Sequence, residues 1–206
     1  MAGTPPKVEL ADFNPKAVLP YGLTINHVCD AMNSFVDFIS FLNSQLQTKK
    51  IEPLEVMLMP ANFSSIVGEF AASAIPKFCK TVVKNQFHNG HPDLIPAGKY
   101  PKDACQYGHE GIEIKGSRYD KGWQGHNAEA SFLMVFCYES GRPTDESKGV
   151  QAKPFRFLAV YGAQLLVEDW QFTGRSETSR RTPTAAVNKG GYQKMTSNWI
   201  YKAPTA

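Results

Sequence analysis

The chain has 206 residues, 42% of them hydrophobic and 20% charged, with a formal net charge of +3. Such a chain suits one globular domain with a full core. It contains no apolar run near the roughly 18 residues of a membrane span, no basic-then-apolar signal peptide at its start, and four widely spaced cysteines unlike a secreted disulfide scaffold. We therefore expect a single cytoplasmic domain over residues 1–206, with no membrane partner.

The first 61 residues predict an arm followed by a long helix. Four prolines within residues 1–22 favour an extended arm that packs on the surface or reaches a partner. Thr24 is a candidate N-cap, and apolar residues then recur at alternating steps of three and four, which indicates a helix. They suit either a face packed on the core or a helix pairing in a dimer: Ile25, Val28, Met32, Phe35, Ile39, Leu42 and Leu46.

Residues 52–60 are bounded by prolines and predict a connector or a short strand. A second helix is predicted from Asn62 or Ser64 through to about residue 85, with Pro76 kinking or dividing it. This helix carries Glu69, whose carboxylate is ordinary on a solvated face and out of place on an inner one.

The most informative stretch runs from residue 91 to residue 115. Ile112 and Ile114 alternate with Glu113 and Lys115, which predicts a short strand with the last two side chains on one face. The intervening segment is rich in Gly and Pro, so it can fold back and bring Asp93 to the same place.

Two carboxylates and a lysine on one face point to chemistry on phosphate. Carboxylate oxygens suit Mg²⁺, which is usually held by one or two carboxylates together with substrate phosphate. The lysine would orient or deprotonate a metal-bound water, or stabilise charge on the phosphate. The simplest such reaction is hydrolysis of a phosphodiester bond.

These residues resemble the PD-(D/E)xK nuclease superfamily and, within it, the type II restriction endonucleases. Pro92-Asp93 matches the PD half, and Glu113-Ile114-Lys115 matches the ExK half. The order of the core also fits, because a helix with an acid, Glu69, precedes the strand with Asp93 and the strand with ExK.

The resemblance implies a restriction-endonuclease-like core over residues 62–138 and a Mg²⁺ ion, with Mn²⁺ as an alternative. Asp93, Glu113 and the Ile114 carbonyl would hold the metal, Lys115 would position or activate the attacking water, and Glu69 would join the site. The substrate would be double-stranded DNA. An enzyme that cuts both strands at a palindrome works most simply as a homodimer.

Several other interpretations of the same residues stay open. One is a related nuclease of DNA repair or recombination that selects structure rather than sequence. Another is a non-catalytic DNA-binding protein with a nuclease-like fold, and a third is a surface strand whose Glu and Lys are merely solvated. The spacing of four residues would also suit a structural zinc ion: His88, His91, Cys105 and His109.

Residues 116–127 form a glycine-rich loop that would emerge beside the metal site. Its polar and aromatic side chains predict contacts with phosphates and base edges, although its Trp could instead anchor the loop to the core. The candidates are Arg118, Trp123, Gln124, His126 and Asn127, and Glu129 just beyond them is a further candidate acid.

Residues 131–138 and 155–161 are apolar, branched and aromatic, which predicts two buried strands joined by a polar hairpin loop. Together with the strands that carry Asp93 and ExK, they predict an α/β (α+β) fold with a mixed central sheet of four to five strands flanked by helices. Residues 139–206 would complete this sheet.

The last third of the chain is the basic part. Residues 141–206 carry 10 Lys or Arg and 5 Asp or Glu, whereas residues 1–140 carry 12 and 14. A basic face is the footprint of a phosphate-backbone partner, although it also suits a solvated surface. We predict a strand at 182–187, a short helix at 192–197, a closing strand at 199–201, and DNA recognition through Arg175, Arg180, Arg181 and Lys189.

Overall fold

The computed structural model describes residues 3–125, 127–151, 153–173 and 184–204. Four α-helices lie in these ranges: α1 (Ile25–Thr48), α2 (Leu54–Met57), α3 (Pro60–Phe78) and α4 (Lys189–Ser197). The strands are β1 (Val82–Lys84), β2 (Leu94–Pro96), β3 (Ile112–Ser117), β4 (Gln124–Gly125), β5 (Phe132–Glu139), β6 (Arg156–Gln164), β7 (Trp170–Thr173), β8 (Thr184–Val187) and β9 (Trp199–Lys202). None of the described helices has the length and hydrophobicity needed to cross a bilayer.

The central sheet is mixed and has six strands in the order β1-β2-β3-β5-β6-β9. Only the β3–β5 pair is parallel among these neighbours. The mixed α+β architecture predicted from the sequence is confirmed, but the expected number of four to five strands is wrong. The additional strand is β1, a three-residue edge strand that the helical pattern of the preceding segment concealed.

Both faces of the central sheet are buried, and the alternation along β5 shows it. Phe132, Met134, Phe136 and Tyr138 point into a core shared with α1 and α3. Leu133, Val135 and Cys137 point to the opposite face, into a second core that includes Trp170 and Met195. A strand buried on both faces reads as an unbroken apolar run, which is why its sequence predicted it well.

The long helix begins where the sequence predicts. The side chain of Thr24 accepts a hydrogen bond from the backbone N–H of His27, and the His27 ring accepts one from the Thr24 N–H in return. Val28, Met32, Phe35 and Ile39 are buried, so this face of α1 packs on the core. The Phe35 ring lies 5.2 Å from the Phe70 ring of α3, edge to face.

The segment between α1 and β2 differs from its prediction. Residues 52–60 include the one-turn helix α2 instead of a strand, and its Glu55 is buried against the Asn43 amide at 2.9 Å. Helix α3 begins at Pro60 and ends at Phe78, two residues beyond Pro76. The backbone is extended at Cys79, so residues 82–84 form a strand where continued helix was expected. A proline near a helix end lacks the N–H of the interior ladder, which favours early termination.

A small second sheet covers the other face, with strand order β4-β8-β7. The strand, helix and closing strand predicted near the C-terminus are present as β8, α4 and β9. The N-terminal arm packs on the surface, because Phe13 forms a β-bridge with Tyr201 and the Val8 N–H binds the Asn33 side chain at 2.9 Å.

Candidate active site

The strands β2 and β3 bring together the two halves of the predicted motif. Asp93 directly precedes β2, which pairs antiparallel with β3 through Leu94 and Ile112. The carboxylate of Asp93 accepts a hydrogen bond from the backbone N–H of Ile114 at 2.8 Å. The predicted return of Asp93 to the ExK strand is therefore confirmed.

A glycine at the start of β3 makes this close packing possible. Gly111 has φ of +150°, and a Cβ on it would lie 2.2 Å from the carbonyl oxygen of Leu94. Any side chain here would separate β3 from the segment that carries Asp93. Gly111 thereby helps to set the distance between Asp93 and the ExK residues.

Glu113 and Lys115 lie side by side on β3, as the two-residue spacing predicts. The Lys115 ammonium donates a hydrogen bond to Oε1 of Glu113. Glu113 is buried and Lys115 is half-buried, so this is not the solvated surface strand of the alternative interpretation. An ion pair with so little solvent around it is stable only when its remaining polar atoms have partners.

The other carboxylate oxygen of Glu113 meets a histidine. Nδ1 of His91 lies 3.0 Å from Oε2 of Glu113 and 3.3 Å from Oε2 of Glu129. Glu129 is 7% exposed and belongs to the loop before β5. These three side chains place one potential ligand atom each within 4.8 Å of the others, which is close enough to hold a metal ion.

The charges of the cluster shift the pKa values of its members in different directions. Burial, followed by the nearby charge of Glu113, raises the pKa of Asp93 to about 7, against the smaller effects of Lys115 and the Ile114 N–H. Burial would also raise the pKa of Glu113, but the hydrogen bond from His91 and the charge and hydrogen bond of Lys115 lower it to about 2. Without a metal, the site therefore disfavours the ionised form of Asp93 and favours that of Glu113.

The pKa values of the two basic members are both raised in this setting. Burial lowers the pKa of Lys115, but the charge and hydrogen bond of Glu113 outweigh it, and the pKa lies above its usual value. His91 behaves in the same way, since Glu113 and Glu129 outweigh its burial and raise its pKa. The carboxylates of the metal-free site therefore favour the protonated forms of both Lys115 and His91.

Helix α3 contacts β3 directly and carries the remaining predicted acid. A Cβ on Gly116 would lie 2.3 Å from the carbonyl oxygen of Ser64, so helix and strand touch backbone to backbone. Glu69 is exposed and forms an ion pair with Lys84 at 2.8 Å. Its charge contributes to the raised pKa of Asp93, which locates Glu69 at the edge of the cluster instead of inside it.

The Ile114 side chain is buried in the core, so only its backbone can serve the site. Its N–H is bound to Asp93. Its carbonyl oxygen faces α3, 3.6 Å from the position that a Cβ on Gly68 would take. The carbonyl that the resemblance assigns to the metal therefore lies between β3 and α3.

Two residues of the predicted DNA-contacting loop make internal contacts. The guanidinium of Arg118 donates to the carbonyl oxygens of Ser140 and Gly141, both at 3.0 Å, and lies over the Tyr138 ring. Trp123 is 4% exposed, and its Nε1 donates to the Tyr119 carbonyl at 3.0 Å. The alternative interpretation, in which the Trp anchors this loop to the core, is confirmed.

The other predicted DNA contacts lie at the surface or outside the described residues. Gln124, Asn127 and Lys189 are exposed, and the Gln124 side chain accepts a hydrogen bond from Thr184 at 3.2 Å. Four further candidates lie outside the described residues: His126, Arg175, Arg180 and Arg181.

The predicted zinc set does not come together. Within the described ranges, the group with ligand atoms at metal-binding separations is His91 with the two glutamates, not His91 with His88, Cys105 and His109. The ring of Tyr107 stacks on His91 at 5.4 Å and contacts the edge of His109 at 5.3 Å. The ring of Tyr107 therefore packs against both histidines.

The sequence gives little indication of the roles of two residues at or beside the cluster. His91, which the sequence offered as a possible zinc ligand, instead lies against Glu113 and Glu129. Asn85 was overlooked, yet its side chain bonds the carbonyl oxygens of Pro92 and Cys105 at 3.0 and 2.7 Å and so fixes the segment around Asp93. No sequence pattern predicts that an amide side chain holds the backbone in this way.

Comparisons of the chain with models of protein families, with curated proteins and with solved structures gave no match.

Proposed function

We propose that this protein is a metal-dependent endonuclease that hydrolyses phosphodiester bonds of DNA at a site formed by Asp93, Glu113 and Lys115. One observation carries the proposal. Asp93 is 21 residues from Ile114 in sequence, yet its carboxylate accepts a hydrogen bond from the Ile114 N–H at 2.8 Å. Ile114 stands in the chain between Glu113 and Lys115, which form an ion pair. This proximity of Asp93 to Glu113 and Lys115 supports the proposal, which takes its chemistry from the resemblance to PD-(D/E)xK nucleases.

The donor set fits a hard dication. Asp93 and Glu113 would offer carboxylate oxygens, which Mg²⁺ prefers, and Mn²⁺ would be the alternative. The raised pKa of Asp93 supports this assignment, because it reflects negative charge that the metal-free protein does not neutralise well. When bound, the ion would make a coordinated water more acidic and neutralise charge on the phosphate.

Lys115 is the residue to which we assign the handling of the attacking water. Its raised pKa keeps the ammonium protonated at neutral pH, so it donates hydrogen bonds and does not act as the base. A donor held against Glu113 can orient a water molecule and stabilise charge that develops on the phosphate. Lys115 thus acts as a positioning and electrostatic group in this proposal.

The substrate we propose is double-stranded DNA, cut by a homodimer of the type II restriction kind. Support comes from the resemblance and from the positive charge of residues 141–206. The exposed side chains of Gln124, Asn127 and Lys189 are available for groove and phosphate contacts. Glu69, at the edge of the cluster, is available to a hydrated metal ion.

The test is incubation of the purified full chain with plasmid and phage DNA in Mg²⁺ or in EDTA, with Asp93→Asn alongside. Asn preserves an acceptor for the Ile114 N–H and removes the charge that would bind the metal. We expect Mg²⁺-dependent cleavage by the wild type and none by the variant. Asp37→Asn, in an exposed ion pair with Lys7, serves as the matched control and should cleave as the wild type does.

The pattern of products separates the candidates within the proposal. Discrete fragments would identify a sequence-specific restriction enzyme, whereas smearing, or cleavage only at branched or flapped substrates, would identify a repair-type nuclease. DNA binding that Mg²⁺ strengthens, without cleavage in any divalent metal, would overturn the enzymatic proposal in favour of a binding protein.

A further inference from the structure

His91, Glu113 and Glu129 form a group that the proposed nuclease chemistry does not use as a unit. We propose that these three side chains are a binding position for a first-row transition-metal dication, distinct from the oxygen-only set that includes Asp93. The two sets share Glu113, whose Oε1 faces Lys115 and whose Oε2 faces His91. The proposal rests on this geometry and does not require DNA cleavage.

The two separations measured from the His91 nitrogen are those expected between ligands of one metal ion, and the three ligand atoms all lie within 4.8 Å of one another. Nδ1 of His91 is 3.0 Å from the Glu113 oxygen and 3.3 Å from the Glu129 oxygen. Two ligands bound at about 2.1 Å lie roughly 3.0 Å apart at a right angle and roughly 3.4 Å apart at a tetrahedral angle. His91 could therefore bind a metal together with either glutamate with little change in these two separations.

Two carboxylate oxygens compete for a hydrogen bond from the same ring nitrogen of His91. Nδ1 of an imidazole carries at most one hydrogen, whereas two carboxylate oxygens approach it. Asp93 adds a third carboxylate close by, with its side chain bound to the backbone N–H of Ile114 at 2.8 Å. A dication at the centre would bond to all three ligand atoms and neutralise part of the charge.

Each ligand is held in place by the surrounding fold. The backbone of His91 donates to Gln106 at 3.1 Å and accepts from Gly108 at 2.8 Å, and Tyr107 stacks on its ring. The backbone carbonyl of Glu129 accepts from the indole of Trp170 at 3.0 Å. Ligands positioned in this way lose little conformational freedom when an ion binds.

The chemistry of the donors selects the class of metal. An imidazole nitrogen suits Mn²⁺, Fe²⁺, Co²⁺ or Zn²⁺, whereas Mg²⁺ and Ca²⁺ favour oxygen ligands alone. Excess Mg²⁺ should therefore leave this position accessible to Mn²⁺, which is a convenient spectroscopic probe.

The experiment is a titration of the EDTA-treated full chain with Mn²⁺ in excess Mg²⁺, followed by electron paramagnetic resonance of the free ion. We expect tight binding, and electron-spin-echo modulation from a directly coordinated ¹⁴N. His91→Gln should abolish the ¹⁴N modulation, and both His91→Gln and Glu129→Gln should weaken binding by about tenfold or more. The exposed His109→Gln is the control and should change neither result.

Bound Mn²⁺ without ¹⁴N modulation in the wild type would overturn the proposal, even if the variants fail to fold. Binding by His91→Gln and Glu129→Gln at wild-type strength would overturn it as well. Nitrogen-coordinated Mn²⁺ in a protein that cleaves no DNA would support this site while contradicting the proposed nuclease. Mg²⁺-dependent cleavage without nitrogen-coordinated Mn²⁺ would do the reverse.

Discussion

At the scale of single residues, the cluster is organised by competition between carboxylates. Glu113 has two basic partners, Lys115 and His91, whereas the Asp93 carboxylate is stabilised by the backbone N–H of Ile114 and lies close to the Glu113 charge. The ionised form of Glu113 is favoured and that of Asp93 is disfavoured. A metal-free protein therefore has an electrostatic penalty at Asp93 that a bound dication would remove.

This penalty predicts an unusual pH dependence for Asp93→Asn in EDTA. A pKa raised from 3.8 to about 7 in the folded state contributes stability that is fully present below about pH 4 and is lost as the pH rises through about 7. At pH 8 the variant should exceed the wild type in free energy of unfolding by about 1 to 3 kcal/mol, with no such excess near pH 4.

Urea unfolding at both pH values measures this difference. Asp37→Asn, at an exposed ion pair, should stay within about 0.5 kcal/mol of the wild type. A wild type that is more stable than Asp93→Asn at pH 8 without metal would show that the Asp93 carboxylate is not strained by its surroundings. Saturating Mg²⁺ should reverse the order of the two proteins, because only the wild type keeps the full ligand set.

Several residues of the site could be predicted from the sequence, but others could not. Asp93, Glu113 and Lys115 could be identified because residues two apart on a strand share a face and the intervening turns allow a return. Glu129 received little weight because it joins the cluster only through the pairing of β3 with β5. The internal contacts of Arg118 were not predictable for a similar reason, since its two carbonyl partners, Ser140 and Gly141, lie just beyond the far end of β5.

At the scale of elements, the site depends on the contact between α3 and β3. A Cβ on Gly116 would lie 2.3 Å from the Ser64 carbonyl, whereas a Cβ on Gly68, on the facing helix, would have its nearest neighbour at an ordinary 3.4 Å. The two glycines lie at the same interface, but a methyl group fits at Gly68 and does not fit at Gly116.

Gly116→Ala should lower the free energy of unfolding by about 1 to 3 kcal/mol, because the helix must move away from the strand. Gly68→Ala is the matched control, and it should be neutral or stabilising by up to about 1 kcal/mol, since alanine is the better helix former. Chemical unfolding of both variants checks the prediction. Equal effects of the two substitutions would contradict the close contact at Gly116.

Element boundaries were predictable where periodicity was long and regular. The apolar spacing of α1 and its Thr24 cap identify that helix well. The end of α3 and the three-residue strand β1 were not predictable, because the residues after Pro76 continue a helix-like pattern. Pairing with β2, together with the strand preference of Val82 and Val83, makes residues 82–84 a strand.

At the scale of the whole molecule, the two faces of the central sheet are covered by different elements. Helices α1 and α3 cover one face, and the small β4-β8-β7 sheet together with α4 covers the other. The small sheet could not be predicted, since its strands are short and β4 pairs with a segment about sixty residues away. The site lies where β2, β3 and the loop before β5 meet.

The proposed endonuclease is tested most directly by the initial rate of supercoiled plasmid cleavage in Mg²⁺ by wild type, Lys115→Ala and Lys99→Ala. Lys99 is an exposed lysine paired with Glu110, so its loss controls for a change of one positive charge. We expect Lys115→Ala to reduce the rate by about 100-fold or more and Lys99→Ala to leave it within about twofold. Cleavage by Lys115→Ala at the wild-type rate, or no Mg²⁺-dependent cleavage by the wild type, would contradict the assignment.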